Sequence, residues 1–332
     1  MRKIIIFFIA LATVFGITSG KKDIAKSNGF SELANKNNYT FLVCGIDDAA
    51  ENTDAIIVFD YDLRNNIASF IQIPRDTYIN ADCKVKKINS IYPTLLNKGS
   101  SKEDAMNELC LEISQVIGKK IDGYVGYTTG ALARIIDIIG GIDIVIPSGV
   151  SVSDEDGNNH INLREGNNHL SGEDAVRFVR YRSGYSLGDL GRIDAQKLFL
   201  SAFVKKLKSS INFTTAMKLA LNDKDGIITN SRAMDVLNIG LKIRGRLSQV
   251  NLRYSNLPGM AKETSGKWYY FVNKNASVQM LDALGFNTEG GFDKKTKLLS
   301  SDKNFENLYY DTKVSWKIYS EEDLGSISIP HK

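Results

Sequence analysis

Residues 54–77 read DAIIVFDYDLRNNIASFIQIPRDT, and their pattern decides the fold class. Two apolar runs, 56–61 (IIVFDY) and 67–73 (IASFIQI), are rich in the β-branched and aromatic residues that favour strands. The polar segment Asp62-Leu63-Arg64-Asn65-Asn66 joins them as a short turn. The first run opens on an acid, Asp54. The second closes on Pro74-Arg75-Asp76, where proline fixes the backbone beside a base and an acid. A carboxylate and a guanidinium at the ends of buried strands are placed to meet an anion and its metal ion.

The neighbouring sequence extends the sheet. Residues 39–46 (YTFLVCGI) are almost continuously apolar, as a strand buried on both faces requires. Gly45-Ile46-Asp47-Asp48 then turns into an acidic loop. Residues 101–116 predict a helix. Ser101 is the N-cap, Asp104 sits three residues on, and Ala105, Leu109, Ile113 and Val116 recur at helical spacing up to Gly118. A strand at 121–127, a helix at 132–139 stopped by Gly140-Gly141, and a strand at 142–146 closed by Pro147 follow. This alternation predicts an α/β fold, a mixed central sheet flanked by helices. Residues 148–168 read as a polar loop, and Ser171 caps a further helix. Arg180-Tyr181-Arg182 is read as extended chain, which would point both arginines the same way. A glycine-rich loop spans 183–191, and 192–208 is an amphipathic helix with Ile193, Leu200, Phe203, Val204 and Leu207 as its apolar stripe. Residues 211–280 read as helical pieces with a strand at 268–272. From about Gly285 the chain turns polar and reads as a peripheral segment.

The 332 residues, 43% of them hydrophobic, suffice for one large core. The net charge of +4 and the lack of a Lys/Arg block give no nucleic-acid arm. Met1-Arg2-Lys3 precedes a run of apolar or small residues from Ile4 to Gly20, which Lys21-Lys22-Asp23 ends. Such a segment is a signal peptide or a short membrane anchor, and the missing A-x-A site favours a retained anchor. Either way the chain from Lys21 onward is expected outside the cytoplasm. The organisation expected is therefore an anchor at 1–22, a linker at 23–38, a catalytic domain at 39–283 and a small C-terminal extension at 284–332. Cys44 is expected to be a buried apolar residue. Cys83 and Cys110 fit either a disulfide or free thiols in an exported protein. His160, His169 and His331 lie in polar loop or tail sequence with no partner set for zinc or nucleophilic work.

Five basic residues stand at element ends or in loops: Arg75, Lys87, Arg180, Arg182 and Arg192. Arginine presents a planar fork of donors that matches phosphate oxygens, and a pyrophosphate needs several. Asp47 and Asp54 offer hard oxygen ligands for a divalent cation. The same residues also fit plain ion pairs with near neighbours: Arg75 with Asp76, and Arg192 with Asp189 or Asp194. Asp47 also fits a turn cap.

The ordered set GID (45–47), TDAIIV (53–58), IPRDTY (73–78), KIN (87–89), IDGYV (121–125), GGIDIVIP (140–147), LSGEDAVRFVRYR (170–182) and GDLGRI…Q (188–196) resembles the LytR–CpsA–Psr family of cell-envelope proteins. The match runs over about residues 39–280, and its specificity lies in the order and number of pieces. The resemblance implies a single-pass membrane protein with an extracellular α-β-α domain. Such a domain would hold a polyprenyl-pyrophosphate-linked glycan in an apolar channel. It would transfer that glycopolymer (teichoic acid, capsule or secondary wall polysaccharide) to peptidoglycan in a phosphotransfer dependent on Mg2+ (or Mn2+). Carried over by position, Asp47 and Asp54 resemble the metal-side acids. Arg75, Lys87, Arg180, Arg182, Arg192 and Gln196 resemble the groups around the pyrophosphate. Asp54 and then Asp189 are the candidate bases, and Arg75 the candidate stabiliser of leaving-group charge. The chain departs from the family pattern at Asn52 and Ala195, where arginines are common, at Lys197, where a second glutamine is common, and in KINSIY (87–92). Three alternatives compete: an attenuator-type regulator, a non-catalytic binder of lipid-linked glycan, and a polyprenyl-pyrophosphate phosphatase. The basic surface that DNA binding needs is not evident. The retained acids favour catalysis over binding alone. A transferase and a phosphatase require the same anion clamp.

Overall fold

The computed structural model describes residues 36–49, 51–147, 163–182, 189–210, 226–231, 249–286 and 314–329, together with positions 185, 186, 239, 242 and 246. Side chains at 189, 190 and 210 are not among those described. The expected anchor at 1–22 and most of the linker lie outside these residues. Among the described residues no helix is long and apolar enough to cross a membrane.

The centre is a mixed six-stranded sheet in the order β7-β4-β1-β2-β3-β8. Its strands are β1 (Asn38–Ile46), β2 (Thr53–Asp62), β3 (Ile67–Gln72), β4 (Gly123–Thr128), β7 (Ile227–Thr229) and β8 (Asn251–Asn256). The 54–77 stretch forms the expected hairpin, with β2 and β3 antiparallel from Asp62↔Ile67 to Ile57↔Gln72. Beside them, β4 runs parallel to β1 and β8 runs parallel to β3. The strand β8 falls where helical pieces were expected.

Period-two alternation gives the two faces of the sheet different tasks. Leu42, Cys44, Ile56, Val58 and Ile71 point into a dry core, which is closed by α1 (Ile91–Asn97), α2 (Lys102–Ile117) and α6 (Lys274–Ala283). The helix α2 begins as predicted: Ser101 Oγ accepts the Asp104 N–H at 3.0 Å, and Gly118 closes the helix in the left-handed conformation (φ 63°). The opposite face carries Ala55, Ile57, Phe59 and Tyr61 from β2 and Ala68 and Phe70 from β3, and there it lines a cavity. Helices α3 (Thr129–Ile138), α4 (Gly172–Arg180) and α5 (Asp189–Ser210) cover that face.

Gly172 lets α4 lie against α3, since an added Cβ would come within 2.0 Å of the Ala133 carbonyl oxygen. A separate two-stranded ribbon pairs β5 (Ile142–Ile146) with β6 (Gly166–Leu170). The last residues of the expected polar loop are therefore a strand. A second ribbon, β9 (Gly259–Thr264) with β10 (Lys267–Val272), packs beside the 76–78 segment through backbone bonds between Tyr270 and both Asp76 and Tyr78.

The C-terminal stretch 314–329 is docked, not peripheral. Tyr319 exchanges backbone hydrogen bonds with Tyr254 of β8. Leu324 of α7 (Glu321–Gly325) is fully buried against Val204, and Ile329 enters the core behind α5. All three cysteines are free thiols, Cys44 and Cys110 buried and Cys83 partly so. Burial pushes the Cys110 thiol up to about 12, so it packs as an apolar group.

Candidate functional site

Two adjoining spaces make up the site. The larger is an apolar channel of about 1320 Å³, including its open mouth. Its floor is the sheet face described above, and its roof includes Leu132 and Ile135 of α3, Val179 of α4 and Phe199, Leu200, Phe203, Val204 and Leu207 of α5. The apolar stripe predicted on 192–208 thus faces the channel with Leu200, Phe203, Val204 and Leu207. The smaller space is a polar mouth of about 430 Å³, where Asp47, Asp54, Arg180, Arg192 and Gln196 converge. Ala55, Tyr127, Leu132, Val179 and Gln196 line both, so one opens into the other.

Local chain geometry places each acid. The β1–β2 ladder pairs Gly45 with Ala55 and then Ile46 with Thr53, so Asp54 is the extra residue of a bulge. A bulge interrupts strict alternation and re-aims one side chain. Here it puts the Asp54 carboxylate at the mouth beside Ala55. Asp47 sits in the turn after β1, where Oδ1 accepts the Ala49 N–H at 3.0 Å. The turn-cap reading of Asp47 therefore holds, and its other oxygen does further work. Arg180 Nη2 donates to Asp47 Oδ2 at 2.7 Å.

Arg75 and Arg180 pair with acids distant in the chain. Arg75 Nη1 donates to Asp54 Oδ1 at 2.8 Å, while Asp76 takes Lys87 Nζ at 2.8 Å. Asp194 takes the buried Lys197 at 2.8 Å. The Lys197 ammonium also lies 4.7 Å from the Tyr319 ring centroid and 5.9 Å from that of Tyr254. Lys87 lies over the Tyr269 ring at 5.7 Å. Arg192, only 4% exposed, is held within the mouth on the first turns of α5. Gln196 donates to the Val179 carbonyl at 3.2 Å and accepts from Gln72 at 3.2 Å, pinning α5 to α4 and β3.

The extended reading of Arg180-Tyr181-Arg182 is corrected. Arg180 is the last helical residue, Tyr181 turns the chain out at φ −61° and ψ 140°, and the exposed Arg182 is not among the residues that line the mouth. Asp189 opens α5, and its side chain lies outside the described set. At the positions that depart from the family pattern, Asn52 accepts the Asp47 N–H on its backbone carbonyl, and Ala195 is fully buried in the core behind α5. His169 pairs with Asp143 at 2.6 Å on the β5–β6 ribbon, and that hydrogen bond holds the Asp143 carboxyl below the usual range. Among the described residues no three His, Cys, Asp or Glu side chains cluster as a metal cage.

Sequence reading missed Tyr127. Burial, reinforced by Cys44, pushes its phenol up to about 12, and it stands where channel and mouth meet. Its place at the C-terminal end of a strand parallel to β1 was the available signal.

The family comparison matches residues 9–285. The chain belongs to the LytR_cpsA_psr family. It is 30% identical over 224 residues to the polyisoprenyl-teichoic acid–peptidoglycan teichoic acid transferase TagV of Bacillus subtilis, a match covering 64% of this chain and 55% of TagV. It is 26% identical over 270 residues to the transferase of the same description, TagU, of Bacillus cereus, covering 80% of this chain and 84% of TagU. The crystal structure of B. subtilis TagV superposes with a TM-score of 0.61 at 24% identity, over 77% of this chain and 97% of that one. The structure of TagT bound to LIIa-WTA superposes with a TM-score of 0.60 at 20% identity, over 76% and 91%. The fold of this family member is thus that of the solved family domains.

Proposed function

We propose that the chain is an envelope transferase that moves a glycopolymer from a polyprenyl-pyrophosphate carrier onto peptidoglycan. One observation carries this reading: an apolar channel between the sheet and the helices opens into a mouth holding two carboxylates and two arginines. That pairing suits a ligand with a long hydrocarbon tail and a polyanionic head. The activities named for TagV and TagU, and the ligand named with TagT, support it as properties of relatives. The proposed setting is extracellular, tethered to the membrane by residues 1–22.

Arg180 and Arg192 would grip the pyrophosphate oxygens through their guanidinium forks. Arg75, oriented by Asp54, would stabilise charge on the leaving phosphate. A peptidoglycan sugar hydroxyl attacks the phosphorus that bears the glycopolymer. The new bond is sugar oxygen to phosphorus. The bond from that phosphorus to the bridging oxygen breaks, and prenyl phosphate leaves with the electron pair. The hydroxyl proton passes to Asp54, with Asp189 the second candidate. Asp47 and Asp54 also fit a Mg2+ (or Mn2+) ion, because magnesium is commonly held by one or two carboxylates with substrate phosphates and water completing its shell. Such an ion, when bound, neutralises pyrophosphate charge. Lys87 and Arg182 belong to the wider basic surround.

The test is to incubate the full chain in detergent with labelled lipid-linked glycan, Mg2+ and peptidoglycan chains. Label in the peptidoglycan is expected. Label released only as free glycan phosphate would make the protein a phosphatase, and unconsumed lipid would overturn both.

A further inference from the structure

Tyr127 stands where channel and mouth adjoin. Among the described residues that line both spaces, only Tyr127 and Gln196 carry a polar side chain. Gln196 is committed to Val179 and Gln72. The Tyr127 hydroxyl has no hydrogen-bond partner among the described contacts, unlike those of Tyr61, Tyr254 and Tyr270, which bind Asn66, Asn256 and the Leu257 carbonyl. A half-buried phenol that faces a cavity without a protein partner has a place for a ligand acceptor.

The surroundings keep that hydroxyl in place and accessible. In the parallel β1–β4 register Tyr127 lies beside Gly45. A Cβ added at Gly45 would come within 3.4 Å of the phenol oxygen and 3.2 Å of Ala55 Cβ, so glycine leaves the approach open. The residues around it divide by chemistry. Leu132, Val179 and Ala55 line both spaces with it, while Asp54, Arg180 and Arg192 line the mouth alone. The phenol keeps its proton at neutral pH, so it acts as a donor and not as a base.

We propose that Tyr127 is a substrate-binding residue at this junction, its hydroxyl donating to an oxygen of the phosphate that carries the prenyl chain while its ring flanks the first prenyl unit. This rests on the function proposed above. When the bridging bond breaks, charge accumulates on prenyl phosphate. The Tyr127 hydrogen bond shares that charge, and the proton stays on the phenol.

The experiment measures binding of geranylgeranyl pyrophosphate and of geranylgeraniol to the full chain and to Tyr127→Phe. Phenylalanine keeps the ring and removes only the hydroxyl. Affinity for the pyrophosphate is expected to fall about tenfold, the loss of one hydrogen bond to a charged group, with affinity for the alcohol unchanged. Equal pyrophosphate affinity in both proteins overturns the inference. An equal loss for both ligands also overturns it, because it assigns Tyr127 to ring packing alone. A parent protein that binds the alcohol as tightly as the pyrophosphate defeats the proposed function itself, and this inference with it.

Discussion

Arg180, the last residue of α4, donates to Asp47 Oδ2 at 2.7 Å and ties a helix end to the turn after β1, 133 residues away. The pair is lopsided: the Arg180 side chain is 50% exposed and that of Asp47 14%. An ion pair so open to water contributes about 0–1 kcal/mol to stability. Its position at the mouth is what gives it consequence.

Arg180→Ala is therefore expected to leave the melting temperature nearly unchanged. Affinity for prenyl pyrophosphate should fall about tenfold or more, as loss of a charge-assisted bond of about 1.5–3 kcal/mol implies. Calorimetric titration and a thermal melt on the same sample separate the two effects. A large fall in melting temperature with intact affinity would mark the pair as structural.

Asp54→Asn preserves shape and removes charge at the bulge. Polymer transfer to peptidoglycan should be abolished, with lipid binding largely retained. The Arg75–Asp54 ion pair is lost, and a moderate destabilisation of about 1–3 kcal/mol accompanies the change. Transfer at the parental rate in the presence of magnesium would refute the role given to Asp54.

Leu324→Ala tests the docked C-terminal stretch. Leu324 is fully buried against Val204, whose helix also roofs the channel. Removing a buried leucine side chain costs about 2–5 kcal/mol. The denaturant midpoint should drop accordingly. An unchanged midpoint would mean that 314–329 adds nothing to the domain.

Alkaline pH should weaken the fold. Burial pushes the phenols of Tyr61 and Tyr127 up to about 12, against an ordinary value near 10 in the unfolded chain. Between these values the native state holds more protons than the unfolded state, so stability falls as pH rises. The contribution is fully present below about pH 10 and is lost through about pH 12. Urea midpoints measured from pH 9 to 12 should decline, and Tyr61→Phe should flatten the slope.

Much of this was legible in the residues. The hairpin of β2 and β3, the Ser101 and Ser171 caps and the apolar stripe of α5 follow from local propensity and period, which a sequence displays directly. The polar strand Gly166–Leu170 lacked any alternation to reveal it, because it pairs only in the β5–β6 ribbon. Arg75 was read against its neighbour Asp76, whereas the fold gives it Asp54 through a bulge that shifts register by one residue. The helix running through Arg180 set the direction of that side chain against the extended reading. Tyr127 carried no motif, and its significance arises from two cavities that exist only in three dimensions.

The parallel pairing of β3 with β8 joins Ile67 to Asn251. Contacts so distant along the chain form late and slow folding. Until residues 251–256 are available, the outer edge of β3 is unpaired even though the covering helices α3, α4 and α5 precede it in the chain, and an unpaired edge is a template for pairing with other chains. The strand that helps floor the channel in the finished protein is thus an open edge while the chain is being made, and a truncated product ending before residue 251 should precipitate and not fold.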